Sequence, residues 1–138
     1  MIRPPTLEAL VNIALWILQA LLALAFFGAG AMKLATPIEE LLANGMTFVA
    51  YTPAPLVRFI GASEVAGALG LILPSALRIA PRLTPLAAGL LALVMALAAG
   101  THLSHGEAPM IVPNLVLGGL SAFVAWGRLR RAPISARA

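Results

Sequence analysis

The chain predicts an all-α integral membrane protein: a four-helix bundle with a short interfacial helix in its first outer loop. Composition is the first ground. Hydrophobic residues make up 61% of the chain and charged residues 10%, where a soluble domain has about 45–50% and about 25%. The second ground is four apolar stretches, at residues 9–32, 56–77, 83–104 and 109–127, each near the roughly 20 residues that cross a bilayer as a helix. The third is that every stretch carries its small and polar residues on one face, as helices that pack together in lipid do. Residues 1–138 then form one transmembrane domain, with no room for a large domain outside the lipid. Cysteine is absent, which excludes disulfides, thiol relays and iron–sulfur or Cys–metal ligation within the chain.

The apolar run of span one exceeds the roughly 7–15 residues of a signal-peptide core. Only Arg3 precedes it, so it reads as a retained helix. Thr36-Pro37-Ile38-Glu39 has the form of a capping box with proline at the first helical position, and Asn44-Gly45 that of a C-cap. Residues 36–44 are therefore expected as a separate short helix capped by Thr36, with Ile38, Leu41 and Leu42 dipping into the interface. Span one should not run through Pro37, because proline disfavours the helical conformation of the residue before it. Tyr51 sits where an interfacial aromatic belongs. Thr52-Pro53-Ala54-Pro55 turns the chain into span two, and Thr84-Pro85 opens span three. Pro109 and Pro113 fall near the start of span four, where proline costs least.

Four spans put both termini on one side of the membrane. That side carries Arg3, Arg78, Arg82, Arg128, Arg130, Arg131 and Arg137, seven of the 9 basic residues, and the other carries Lys33 and Arg58. The positive-inside rule places both termini in the cytoplasm. The Arg-rich tail from Arg128 reads as a stop-transfer flank, not as a nucleic-acid site. Trp16 and Trp126 read as an interface belt on the same side.

The polar stripes locate the candidate site. Span one carries Asn12, Trp16, Gln19, Ala23, Phe26, Gly30 and Lys33 on one face; span two carries Gly61, Glu64, Ala68, Leu71 and Ser75. Span three offers Met95, Ala98, Ala99 and His102, and span four Asn114, Gly118, Ser121, Ala125 and then Arg128. At 1.5 Å rise per residue, Glu64 lies about 12 Å and Asn114 about 8 Å below the outer ends of their helices. Lys33, Arg58, Glu64, His102 and Asn114 thus share the outer half of the bilayer, while Gln19 lies near the midplane. A carboxyl at the depth of Glu64 must be protonated or paired, and Lys33, Arg58 and His102 are the available cations. Asn114 and Gln19 read as interhelical hydrogen-bond glue, Lys33 and Arg58 as interface anchors that can reach a ligand. His102 with His105 is a weak metal spacing, and a hydrogen bond at the helix end is the favoured reading; no metal site is expected.

These residues resemble the DoxX-like family of small bacterial membrane proteins. The likeness rests on Gln19 with Phe26-Phe27-Gly28-Ala29-Gly30-Ala31-Met32-Lys33-Leu34, and on Arg58-Phe59-Ile60-Gly61-Ala62-Ser63-Glu64 through Gly67, Gly70 and Leu73-Pro74. Thr84-Pro85-Leu86-Ala87-Ala88, His102 and Asn114 extend it over most of the chain. The resemblance implies four membrane helices and a place in the bacterial inner membrane. It also implies association with quinone-linked sulfur oxidation or redox defence in some relatives, and receptor-assembly chaperoning in a distant branch.

Three function classes follow. The first is an accessory component of a quinone-linked or other redox or lipophile-handling system. In it a lipid-facing cleft admits a quinone cofactor, and His102, Glu64 or Lys33 bond its carbonyls and move protons. Lys33, Arg58, Asn114 and Gln19 are the ligand-binding candidates, and electrons come from a partner subunit. The second is a lipid-phase isomerase or hydrolase using Glu64 and His102 as an acid/base pair. The third is a non-catalytic assembly module whose polar cluster sets helix register. The partners these readings call for are the bilayer, a lipophilic small molecule, a redox subunit and a second copy of the chain, and nucleic acid is not among them.

Overall fold

The computed structural model describes residues 4–138; Arg3, counted above for topology, lies outside them. Five α-helices follow one another: α1 (Leu7–Ala35), α2 (Ile38–Ala43), α3 (Ala54–Leu77), α4 (Leu83–Ser104) and α5 (Ala108–Arg130), with a 3₁₀ turn at Thr47–Ala50 between α2 and α3. No strand occurs among the described residues. The helices α1, α3, α4 and α5 are long and apolar enough to cross a membrane. They form a ring in which α1 packs on α3 and α5, and α4 packs on α3 and α5. The result is the predicted four-helix membrane bundle.

The polar stripes turn inward. The buried residues of α3 are Val57, Gly61, Glu64, Ala68, Leu71 and Ser75, and those of α1 include Gln19, Phe26, Gly30 and Lys33. The reason is the solvent: leucine costs nothing against lipid, so Leu24, Leu97 and Leu120 point outward while small and polar groups seek one another. The core itself is apolar at mid-height, built from Leu15, Leu22, Phe26, Leu71, Leu91 and Val124.

Thr6 caps α1 through its hydroxyl, which accepts from the Ala9 amide at 3.2 Å. One cap differs from expectation: Thr36 does not cap α2. It ends α1, its amide donating to the Met32 carbonyl at 2.9 Å, and α2 starts from Pro37 with no side-chain cap. The break at Pro37 occurs as expected, but Thr36 is held in extended geometry by its own helix end and by a bond to its carbonyl described below. Gly45, at φ +90°, takes the positive-φ position past the Asn44 cap. Leu41 is a second correction. It is fully buried against Val49 and Val57, with Ile38, Met46 and Phe48 around it, so α2 clamps a small core of its own and only Leu42 of the apolar set is exposed.

Candidate functional site

Two glycines set the site. Gly30 on α1 and Gly61 on α3 meet backbone to backbone: a Cβ at Gly30 would lie 2.6 Å from the Gly61 carbonyl oxygen, and one at Gly61 would lie 2.9 Å from that of Gly30. Only hydrogen fits at that crossing. One turn further along each helix stand Lys33 and Glu64, and their side chains meet at Nζ–Oε2 2.7 Å. Both residues are buried, at 7% and 3% exposure. Two charges at that depth persist because each neutralises the other.

Arg58 reaches the same region without joining the ion pair. Its guanidinium donates to the Lys33 carbonyl and, at 2.8 Å, to the Thr36 carbonyl. It therefore caps the C-terminus of α1, where a helix leaves its last carbonyls unpaired and favours a cation. This corrects the reading of Arg58 as an anchor free to bind a ligand.

A cavity of about 370 Å³ opens beside the pair, between α3 and α4. Its cause is the taper of the α3–α4 hairpin. Near their joining turn the two helices touch. A Cβ at Gly67 would lie 2.6 Å from Leu91, one at Gly70 2.7 Å from Ala87, and the Ser75 hydroxyl donates to that of Thr84 at 2.8 Å. At the other end, where α2 lies (the α2 end), Phe59, Ile60 and Ser63 face Leu97, Ala98 and Thr101 across open space. Phe59 and Leu97 are 68% and 64% exposed, so the mouth faces sideways, towards lipid. The volume lies in the range of small-molecule sites, about 300–1,000 Å³.

Lys33, Glu64, His102 and Asn114 all line this cavity. Phe48 lies between two of them: Lys33 Nζ stands 5.9 Å from its ring centroid, and its ring meets that of His102 edge-on at 6.5 Å. Glu64 and His102 share the cavity wall but no hydrogen bond. Asn114 does not glue helices together, since its amide donates back to the Met110 carbonyl of its own helix at 2.9 Å. A short polar side chain can bond back to the carbonyl one turn earlier in its own helix, and here the acceptor is that of Met110.

His102 has a partner that sequence reasoning overlooked. Its Nδ1 lies 2.6 Å from Glu107 Oε2, and the Tyr51 hydroxyl donates to the same oxygen at 2.7 Å. Tyr51 in turn stacks on the His105 ring, with centroids 3.7 Å apart. Tyr51 is thus a tie between the two loops of the α2 end rather than a free interfacial aromatic. Hydrogen bonds from Tyr51 and then His102 hold the Glu107 carboxyl down at about 2. Burial, with the bonded Glu107 carboxylate next, pushes the Tyr51 phenol up to about 12. The clue was the short α4–α5 loop, which sets Glu107 only 5 positions after His102.

Gln19 belongs to a different cluster. Its amide donates to the Leu71 carbonyl at 2.6 Å, and Arg128 Nε donates to its Oε1 at 2.5 Å. Arg128 also donates to Asn12 Oδ1 at 2.6 Å and to the Ala132 carbonyl at 3.1 Å, with its guanidinium 5.2 Å from the Trp16 ring centroid. Arg128 is 3% exposed. It is a buried strut between α1 and α5, not a flank in the headgroups, and Trp16 is its stacking partner rather than a belt residue. The stripes named above already end on Arg128 in one helix and begin with Asn12, Trp16 and Gln19 in the other. Among the described residues no group of three potential ligands could hold a metal.

The chain matches the model of the DoxX-like family over residues 17–124. No curated protein and no solved structure matches it. The family match begins about a third of the way along α1, reaches into the second half of α5 and takes in the two crossing glycines, the ion pair, His102 and Asn114, and the protein is a member of the DoxX-like family.

Proposed function

We propose that the protein holds a lipophilic small molecule with a hydrogen-bonding head in the α2-end cavity, a quinone being the class that suits it best. It would serve as the membrane component of a redox or other lipophile-handling system. The observation that carries this reading is an apolar cavity, open sideways, whose polar groups stand apart: the Lys33–Glu64 pair at one place on the wall and His102 at another. One of the three ammonium N–H groups of Lys33 is engaged by Glu64, and an imidazole offers a second ring nitrogen beyond the one on Glu107. A ring with two carbonyl acceptors and an alkyl tail complements that pattern. Electrons, in a redox system, would come from a partner subunit. Lys33, Glu64, His102 and Asn114 are the proposed ligand contacts, while Arg58 and Gln19 hold the helices that carry them.

The proposed setting is the bacterial inner membrane with both termini cytoplasmic, on the seven-to-two distribution of basic residues. The cavity then lies in the outer half of the bilayer. Mass spectrometry of small molecules that co-purify in mild detergent tests the reading. A carbonyl-headed lipophile is expected with the native chain and lost from a folded Glu64→Gln variant. Its absence from the native preparation would point instead to an assembly module in which the polar groups set helix register.

A further inference from the structure

We propose that Glu107 is a positioning residue of the cavity, acting through His102 to make the site select between a carbonyl head and a hydroxyl head by the proton it carries. The inference rests on the ligand reading above and deepens it. The Glu107 carboxylate, accepting from Tyr51, can only accept from His102 as well, so the Nδ1 of His102 carries hydrogen. That assignment follows from the bonding pattern. It leaves Nε2, on the opposite edge of a ring that lines the cavity, as the atom a ligand meets.

Two states of that atom recognise two ligand forms. Neutral His102 presents a lone pair at Nε2 and accepts from a hydroxyl head. Protonated His102 presents an N–H and donates to a carbonyl oxygen. Binding the carbonyl form therefore takes up one proton, which ends on Nε2 of His102, and binding the hydroxyl form takes up none. No bond of the ligand is made or broken in either case.

The surroundings make Glu107 the group that governs this. Around His102 stand Glu107 from the α4–α5 loop, Tyr51 from the segment before α3, and His105 stacked on Tyr51. Lys33 of α1 stands across the Phe48 ring, with Glu64 of α3 cancelling its charge. One net negative charge thus faces the imidazole, and Glu107 holds it. Glu107 is partly exposed, 22% in its side chain, while His102 is at 11%, so the dyad joins the aqueous surface to the cavity. Protons reach the ligand head from the α2 end.

The test uses the full chain in nanodiscs, with decylubiquinone and decylubiquinol as probes and Glu107→Gln as the variant. The amide side chain keeps the size and an acceptor oxygen but not the charge. At pH 8, decylubiquinone binding to the native chain should take up nearly one proton per ligand, and decylubiquinol none. The ratio of the two affinities should change tenfold or more between pH 6 and pH 8. In Glu107→Gln, proton uptake should fall by half or more and the ratio should change less than threefold. Equal uptake in both proteins, or none in the native chain when the quinone binds, overturns the inference. If neither probe binds, the ligand reading has failed, and ¹⁵N NMR of the His102 ring still decides the positioning role. The Nδ1–H tautomer should dominate in the native chain and give way to a mixture in Glu107→Gln; identical tautomer populations overturn it.

Discussion

Gly30 and Gly61 touch through their backbones, and the Lys33–Glu64 ion pair sits one helical turn from that contact on both helices. The crossing and the pair are one construction: the absence of two side chains brings two others together.

Gly30→Ala should therefore damage both fold and site. The new methyl meets backbone, which cannot swing aside, and overpacking of this kind costs about 1–3 kcal/mol. Gly28→Ala is the matched control on the same helix, since nothing lies within 4 Å of its would-be Cβ. It should be neutral or stabilising by up to about 1 kcal/mol, the ordinary gain of alanine over glycine in a helix. Thermal unfolding of both variants in one detergent measures the contrast.

Breaking the ion pair from one side should cost more than removing it whole. Glu64→Gln leaves a buried ammonium without its counter-charge, a change worth about 3–5 kcal/mol. The double variant Lys33→Met with Glu64→Gln should recover most of that loss. A double-mutant cycle by reversible unfolding checks it, and additive effects would show that the two charges do not stabilise one another.

Arg128→Leu should destabilise by about 1–3 kcal/mol, because Gln19 Oε1 and Asn12 Oδ1 then lose their donor inside the protein. Arg128→Lys should restore only part, since an ammonium cannot fork to both acceptors while stacking flat on Trp16. The order native, Lys, Leu in melting temperature is the expected outcome.

The loop tie at the α2 end should depend on pH at both extremes. Glu107 titrates at about 2, below its usual 4.5. Its contribution is therefore present above pH 4.5 and disappears as pH falls through 2. Tyr51 titrates at about 12, above its usual 10, so its contribution is present below pH 10 and disappears as pH rises through 12. Amide exchange in residues 47–52 should be faster in Tyr51→Phe than in the native chain across the middle range, and the difference should close towards both ends.

Reporter fusions at Ala138 and at Asn44 should report opposite sides, with Ala138 in the cytoplasm.

Much of this is legible in the sequence. The four spans, the break at Pro37 and the inward stripes follow from hydrophobic length and period, which in lipid have few competing solutions. The depth of Glu64 demands a cation, and a 4-3 stripe ending on Lys33 supplies one. What stays hidden depends on direction at short range. Nothing in spacing tells whether Arg58 turns towards a ligand or towards the carbonyls that end α1. Asn114 looks like glue because its type bonds between helices, yet its side chain reaches back one turn to the Met110 carbonyl of its own helix. The average behaviour of basic residues after a span puts Arg128 in the headgroups, although its stripe points at Gln19 and Asn12. Glu107 escapes notice because it lies beyond the helix that carries His102, and only the tight turn folds it back.

The taper of the α3–α4 hairpin has a consequence for how strongly the cavity needs to hold anything. A guest entering through a sideways mouth comes from the hydrocarbon, not from water. Each buried methylene favours the lipid by about 0.8 kcal/mol, close to a fourfold enrichment per carbon, so a ten-carbon tail concentrates a molecule in the bilayer about a millionfold before it meets the protein. Chain length then governs occupancy as measured against the aqueous phase, while the few polar groups at the cavity's end choose among molecules already crowded at its door. Modest intrinsic affinity suffices for high occupancy, and rapid exchange follows from it.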